Sequence, residues 1–136
     1  MLIYKKGNIL NATEDIICHQ VNVDGIMGGG LALQIANLYP DVLEKYKMFC
    51  ETHNNNYEEL QGLCDVMGIE NNKMIANCFT QKPNFDTDYE AIRECFTNLL
   101  IRCFIFEKSI AIPYKYGCGI ANGDWNIVEN IFKELS

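Results

Sequence analysis

None of the seven cysteines is spaced as CxxC, and their number is odd. The missing spacing removes the paired-cysteine metal ribbon, and the odd count speaks against a disulfide framework. Cys18, Cys78 and Cys103 fall within apolar runs, so the expectation is reduced, buried, small hydrophobic side chains in a cytoplasmic protein. With no cluster of ligands at metal-binding spacing, no metal and no cofactor are expected. Basic residues are scarce, eleven against eighteen acidic ones, and the formal charge is −7. Such a surface repels duplex nucleic acid over most of its area, although a local nest of N–H groups can still hold a small anion. No apolar run is long enough to span a membrane, and no charged-then-apolar leader opens the chain, so no membrane partner is expected. Internal repeats and linkers are also missing. What is present suffices for one core: 136 residues, 49% of them hydrophobic, read as a single domain over 1–136.

Along the chain, strand and helix patterns alternate. Leu2 to Leu10 reads as a strand ending at Gly7-Asn8, and Asp15 to Val21 as a second, more apolar and central one. Leu31 to Tyr39 reads as a helix. Pro40 restarts a helix at its first turn, where the missing N–H is harmless, and sets Val42 or Leu43, Tyr46, Phe49 and Cys50 on one face. Asn54 to Asn56 is an exposed polar loop that also holds His53. Leu63 to Ile69 and Met74 to Phe79 read as strands joined by the turn Glu70-Asn71-Asn72-Lys73. A loop with Pro83 leads to a long helix from about Asp88, striped with Tyr89, Ile92, Phe96, Leu99 and Cys103. Ser109 to Pro113 reads as a strand and Asp124 to Leu135 as a final helix, with Asp124 as its N-cap. This order makes an α/β layered domain with a largely parallel sheet.

Two glycine-rich stretches follow strands and precede helices. In the first, Asn22 to Gly30, three consecutive glycines let the backbone approach a ligand with free N–H groups, beside the positive end of the next helix. The second, Gly117 to Gly123, repeats that logic after Ser109 to Pro113. Ligands in such sheets settle beyond the carboxyl ends of the strands, so the two loops are placed to grip one diphosphate from opposite sides. Neither loop fits GxGxxG with a ribose-binding acid or the P-loop with its Lys and Ser/Thr.

Asn22-x-x-Gly-x-Met-Gly-Gly-Gly-Leu-Ala-x-Gln followed by Tyr39-Pro40, together with Ile112-Pro113-x-x-x-Gly-Cys-Gly-Ile-Ala-x-Gly-Asp-Trp, resembles a macrodomain. Lys6-Gly7-Asn8-Ile9-Leu10 is similar to that family's first strand. The resemblance covers essentially the whole chain. It is nearest the branch of the ADP-ribose-1″-phosphate phosphatases and terminal ADP-ribose glycohydrolases, which shares His19-x-x-Asn22-x-x-Gly25 and the glycine run. The resemblance implies a three-layer α/β/α domain with a mixed, largely parallel central sheet that binds ADP-ribose. Many members continue with a strand after the final helix, whereas here the sequence stops at Glu134-Leu135-Ser136. Either the sheet closes without that strand, a partner chain supplies one, or the sequence is shortened. An open edge is one that a homo-oligomer would cover.

By that resemblance, Asn8 and Ile9 sit at the adenine end, with an amide at position 8 where many relatives carry Asp. Gly117, Cys118, Gly119, Ile120 and Ala121 wrap the diphosphate through backbone N–H groups. The turn of Gly28, Gly29 and Gly30 faces the distal ribose, with Asn22 bonding its hydroxyls, and Gly25 and Met27 join the ligand-binding set. Read from the residues alone, Asn22 and Asp24 before Gly25 also suit a plain tight turn. His19, with a pKa near neutrality, is the acid/base candidate for a distal phosphate; the other reading is a strand-end histidine satisfied by a backbone carbonyl. Asp24 is the candidate carboxylate partner. Tyr114 and Tyr116 pack against ligand or core, and Trp125 against core. Glycohydrolase relatives use a Lys after the middle hairpin and an Asp in the second loop, and the matching positions here are Gln81 and Ala121, with Lys82 one residue along. A lysyl covalent mechanism needs its amine at a defined point. The expected activity is therefore hydrolysis of ADP-ribose 1″-phosphate or a similar small derivative. A non-catalytic ADP-ribose-binding module, a glycohydrolase acting on protein or nucleic acid, and an unrelated α/β domain are the rivals.

Overall fold

A computed structural model describes all residues 1–136. Its elements are β1 (Ile16–Val21), α1 (Gly30–Leu38), α2 (Pro40–Thr52), α3 (Tyr57–Leu60), β2 (Cys64–Gly68), β3 (Met74–Phe79), α4 (Tyr89–Phe106), β4 (Ile110–Ala111) and α5 (Trp125–Leu135). One sheet runs in the order β2-β3-β1-β4. β1 is parallel to β3 and β4, whereas β2 and β3 form an antiparallel hairpin. Both faces of β1 are covered, which is why its sequence is almost continuously apolar rather than alternating. Ile16 and Cys18 look toward α4 and α5, while Ile17 and Val21 look toward α1, α2 and α3. The domain is thus a three-layer α/β/α fold on a mixed sheet.

Local chemistry sets the helix starts. Pro40 occupies the first turn of α2. Asp88 and Asp124 cap α4 and α5, accepting from the N–H groups of Ala91 and Asn126. Asp88 is also buried and accepts from Tyr57 Oη and, at 2.7 Å, from Gln61 Nε2, so it ties α3 to α4. Burial pushes its carboxyl up, but these bonds outweigh that and hold it below the ordinary carboxylate range.

Three expectations need correction. Leu2 to Leu10 is not a strand: Ile9–Asn11 forms a single 3-10 turn, and Ile3 and Tyr4 are exposed. The strand expected over Ser109 to Pro113 shrinks to two residues, paired only as Ile16↔Ile110 and Ile17↔Ala111. Pro113 lacks the N–H that a longer ladder would need. With so short an edge on β4, the N-terminal segment has little to pair with, and only Leu2 packs on the core of that side. The short helix α3, after the asparagine tract, was not expected; Asn56 caps it by accepting from Glu59 N–H.

Candidate functional site

The first glycine loop leaves the carboxyl end of β1 and is held by side chains from below. Asn22 Oδ1 accepts from Asp24 N–H at 2.9 Å and from Tyr46 Oη at 2.8 Å, and Asn22 Nδ2 donates to the Ile26 carbonyl at 2.9 Å. The tight-turn reading of Asn22 is therefore realised. An amide has two N–H groups, and only one of these is engaged in the loop. Asn55 Nδ2 donates to the Val23 carbonyl at 2.9 Å, a use of the polar tract that its sequence did not disclose. Gly25 has φ +77° and packs over Lys47, so the turn needs glycine there. Met27 is a correction: its side chain is buried in the core beneath the loop, so it cannot itself touch a ligand. Gly28 and Gly30 are exposed, Gly29 is the N-cap of α1, and no side chain caps that helix. Asp24 is exposed beside them.

The second loop turns twice, with Cys118 N–H bonding the Lys115 carbonyl and Asn122 N–H the Gly119 carbonyl. Gly117 has φ +71°, and a Cβ there would stand 2.7 Å from Thr87 Oγ1. Gly119 faces open space. The Ala121 side chain is buried and its carbonyl accepts from Thr87 N–H at 2.9 Å. Only its main chain can serve a ligand. Cys118 is half-buried, with Sγ directed to the Tyr116 carbonyl. Tyr114 is exposed, its ring 5.1 Å from that of Trp125, and Tyr116 is core.

The loops meet. Ile120 is 77% exposed, and its Cδ1 lies 3.4 Å from where a Cβ on Gly29 would sit. That side chain lies where the two loops come together. Two open grooves lie elsewhere, one of about 510 Å³ between α4 and α5 and one of about 370 Å³ beside Pro40, Lys45 and Met67. Neither is lined by the glycine loops.

Beneath the second loop lies a polar network absent from the sequence reading. Gln20 Nε2 donates to the Thr80 carbonyl at 3.1 Å and to Thr87 Oγ1 at 3.2 Å, Thr80 Oγ1 lies 2.6 Å from Tyr116 Oη, and Thr87 Oγ1 donates to the Gly117 carbonyl. Gln20 was the available signal, a polar residue next to His19 in a strand that is otherwise apolar. Gln81 pairs with Thr87 as an isolated bridge, and Lys82 is exposed, its backbone N–H bonded to the Asp86 carbonyl. Asn8 uses its side chain to accept from Leu10 N–H, and Ile9 packs against the core on the α1/α2 side.

His19 is not a strand-end residue open to a ligand. It is 1% exposed, and its Nε2 lies 2.6 Å from Asn77 Oδ1 on the neighbouring strand, not from a backbone carbonyl. Burial disfavours the imidazolium and lowers its pKa to about 4, outweighing the bond to Asn77. His19 Nδ1 and Asn77 Nδ2 have no partner. The imidazole is neutral at physiological pH.

The expectation of no ligand cluster is also corrected. All seven cysteines are free thiols, and folding brings the Sγ atoms of Cys64, Cys78 and Cys95 within 4.8 Å of one another. No helix is long and apolar enough to cross a membrane.

Residues 18–132, from β1 into α5, match the family model of the macro domain. The chain belongs to the macro domain family. Among curated relatives, ADP-ribose 1″-phosphate phosphatase of Saccharomyces cerevisiae is 35% identical over 80 residues, 57% of this chain and 44% of that one. DNA ADP-ribosyl glycohydrolase of Mycobacterium tuberculosis is 30% identical over 131 residues, 95% of this chain and 37% of that one. This macrodomain thus spans less than half the length of either. In structure it resembles the macrodomain of Mycobacterium tuberculosis DarG, with a TM-score of 0.86 and 25% identity over 99% of this chain and 89% of that one.

Proposed function

We propose that this macrodomain binds ADP-ribose or a close derivative between its two glycine loops and hydrolyses it at the distal ribose, as an ADP-ribose 1″-phosphate phosphatase does. The observation that carries the reading is the meeting of the loops beyond the carboxyl ends of parallel strands β1 and β4, where Ile120 rests on Gly29. Gly117 to Ala121 hold the diphosphate by their main chain. The uncapped first turn of α1 and Gly28 to Gly30 face the distal end. Asn22 offers its remaining N–H to a ribose hydroxyl.

In the reaction a water oxygen attacks phosphorus, the bond between phosphorus and the ribose oxygen breaks, and inorganic phosphate and ADP-ribose leave. Asp24 is the exposed carboxylate of the first loop; it takes the proton from the attacking water, and the departing ribose oxygen takes up a proton as its bond to phosphorus breaks, so that Asp24 returns to its starting state. His19, buried and neutral, bonds to Asn77 of β3 and serves the pairing of the strands rather than the proton transfer.

Phosphate release from ADP-ribose 1″-phosphate, alongside calorimetric titration with ADP-ribose, tests the reading. Gly119→Phe should keep the thermal midpoint, because the space around Gly119 is open, yet abolish binding. Unchanged affinity in that variant would overturn the placement of the ligand. Tight binding without turnover would leave a binding module.

A second reading, removal of ADP-ribose from nucleic acid, is favoured by the similarity to the mycobacterial glycohydrolase along 95% of this chain. Turnover of an ADP-ribosylated oligonucleotide that survives Lys82→Ala would support it without a lysyl intermediate.

A further inference from the structure

Cys64, Cys78 and Cys95 come from β2, β3 and α4. Cys64 and Cys78 stand directly opposite each other across the antiparallel ladder, with their sulfurs 3.9 Å apart. Cys95 descends on the pair from the helix that covers this face, and the three sulfurs all lie within 4.8 Å of one another. We propose that these three side chains form a binding site for one thiophilic d10 metal ion of the Zn²⁺, Cd²⁺ or Cu⁺ kind.

The dimensions fit. An ion held equally by three sulfurs at about 2.3 Å sits at the centre of a triangle with edges of about 4.0 Å. The Cys64–Cys78 edge already has that length, and the other two need shifts of less than about 1 Å, within the reach of small χ1 adjustments. An all-sulfur donor set selects soft ions over Mg²⁺ and Ca²⁺. When a divalent ion binds, three S–H bonds break, three protons leave, and three metal–sulfur bonds form, so the site gains a net charge of about −1. Arg102, which donates from its guanidinium to the Cys64 carbonyl at 3.4 Å, stands beside that charge with the opposite sign. Cys64 is only half-buried and lies on the outer strand of the sheet, which gives an ion its way in, while Cys78 and Cys95 are buried. His19 and Asn77 bond to each other on the opposite face of the sheet, so neither is a ligand of this site. Once occupied, it clasps the edge hairpin to α4.

Titration of the reduced protein with Cd²⁺, in the presence of a phosphine reductant, tests the proposal. One ion per chain should bind, with sulfur-to-cadmium charge-transfer absorption in the ultraviolet and a rise in the thermal midpoint. Cys64→Ser should weaken the affinity more than about a hundredfold, beyond the loss that an outer-shell change causes. Cys103→Ser, which changes a thiol of α4 outside the triangle, should leave it as it was. Competition with Zn²⁺ and Cu⁺ then ranks the ions. The wild-type chain supplies a measurement independent of any variant's folding, because bound Cd²⁺ should protect Cys64 from alkylation by iodoacetamide. No charge-transfer absorption at excess Cd²⁺, equal affinity in Cys64→Ser, or equal alkylation with and without the ion would each overturn the site.

Discussion

His19 shows how a residue can be read correctly in type and wrongly in place. An imidazole after an apolar run suggests an acid or base at the strand end. Its surroundings depend on Asn77, 58 residues later, and so on a strand register that local sequence does not reveal. The native pKa is lowered to about 4, against about 6.5 in the unfolded chain. Below pH 6.5 the unfolded state therefore takes up a proton that the folded state refuses. The stabilisation is fully present above pH 6.5 and is lost as pH falls toward 4, by on the order of 3 kcal/mol in the limit. Urea unfolding of the wild type should show this loss between pH 7 and pH 4, in the range set by those two pKa values. In His19→Gln the pH dependence should be shallower by about that amount. Equal slopes in the two proteins would mean that folding leaves the His19 pKa where it is in the unfolded chain. Asn22 is the contrasting case, since its turn chemistry was legible in Asn-x-Asp-Gly while its bond to Tyr46 was not.

At the scale of elements, periodicity and capping carried the interior of the chain well. α1, α2, β2, β3, α4 and α5 fall where spacing, Pro40 and the two aspartates place them. The ends of the sheet were not legible in the same way. Leu2 to Leu10 has a strand-like pattern, but a strand exists only where a neighbour offers a ladder, and the edge of β4 is two residues long. The two helix caps separate local from tertiary contributions. Asp124→Ala removes an exposed cap and should cost about 1 kcal/mol. Asp88→Ala removes a cap and also leaves Tyr57 Oη and Gln61 Nε2 without their acceptor, so it should cost about 2 to 4 kcal/mol. Equilibrium denaturation of both variants checks the order, and equal losses would show that the α3–α4 tie contributes nothing.

For the whole molecule, charge and layer order are the legible properties. The formal charge of −7 bears directly on the nucleic-acid reading. Proteins that bind duplexes through many phosphate contacts lose roughly a thousandfold or more in affinity between about 50 and 200 mM salt. Here an ADP-ribosylated oligonucleotide should bind with flat or rising affinity over that range, because salt screens repulsion rather than attraction. A steep fall in a fluorescence-anisotropy series would show a basic path that the net charge hides. The cysteine triangle belongs to this scale as well: its members lie 14 and 17 residues apart in sequence and meet only because β2, β3 and α4 stack.

The His19–Asn77 bond also bears on how the sheet finds its alignment. Parallel apolar strands such as β1 and β3 offer several alignments of nearly equal greasiness. Sliding β1 by one residue would bring His19 level with Ala76 or Cys78 and turn every side chain to the wrong layer. Sliding it by two restores the layers but sets His19 against Ile75 or Phe79, leaving a desolvated imidazole and amide apart, at roughly 1 to 3 kcal/mol for each orphaned group. Only the native alignment lets the two meet. The pair works as an indexing pin, selecting one of several otherwise interchangeable strand pairings while the chain is still assembling.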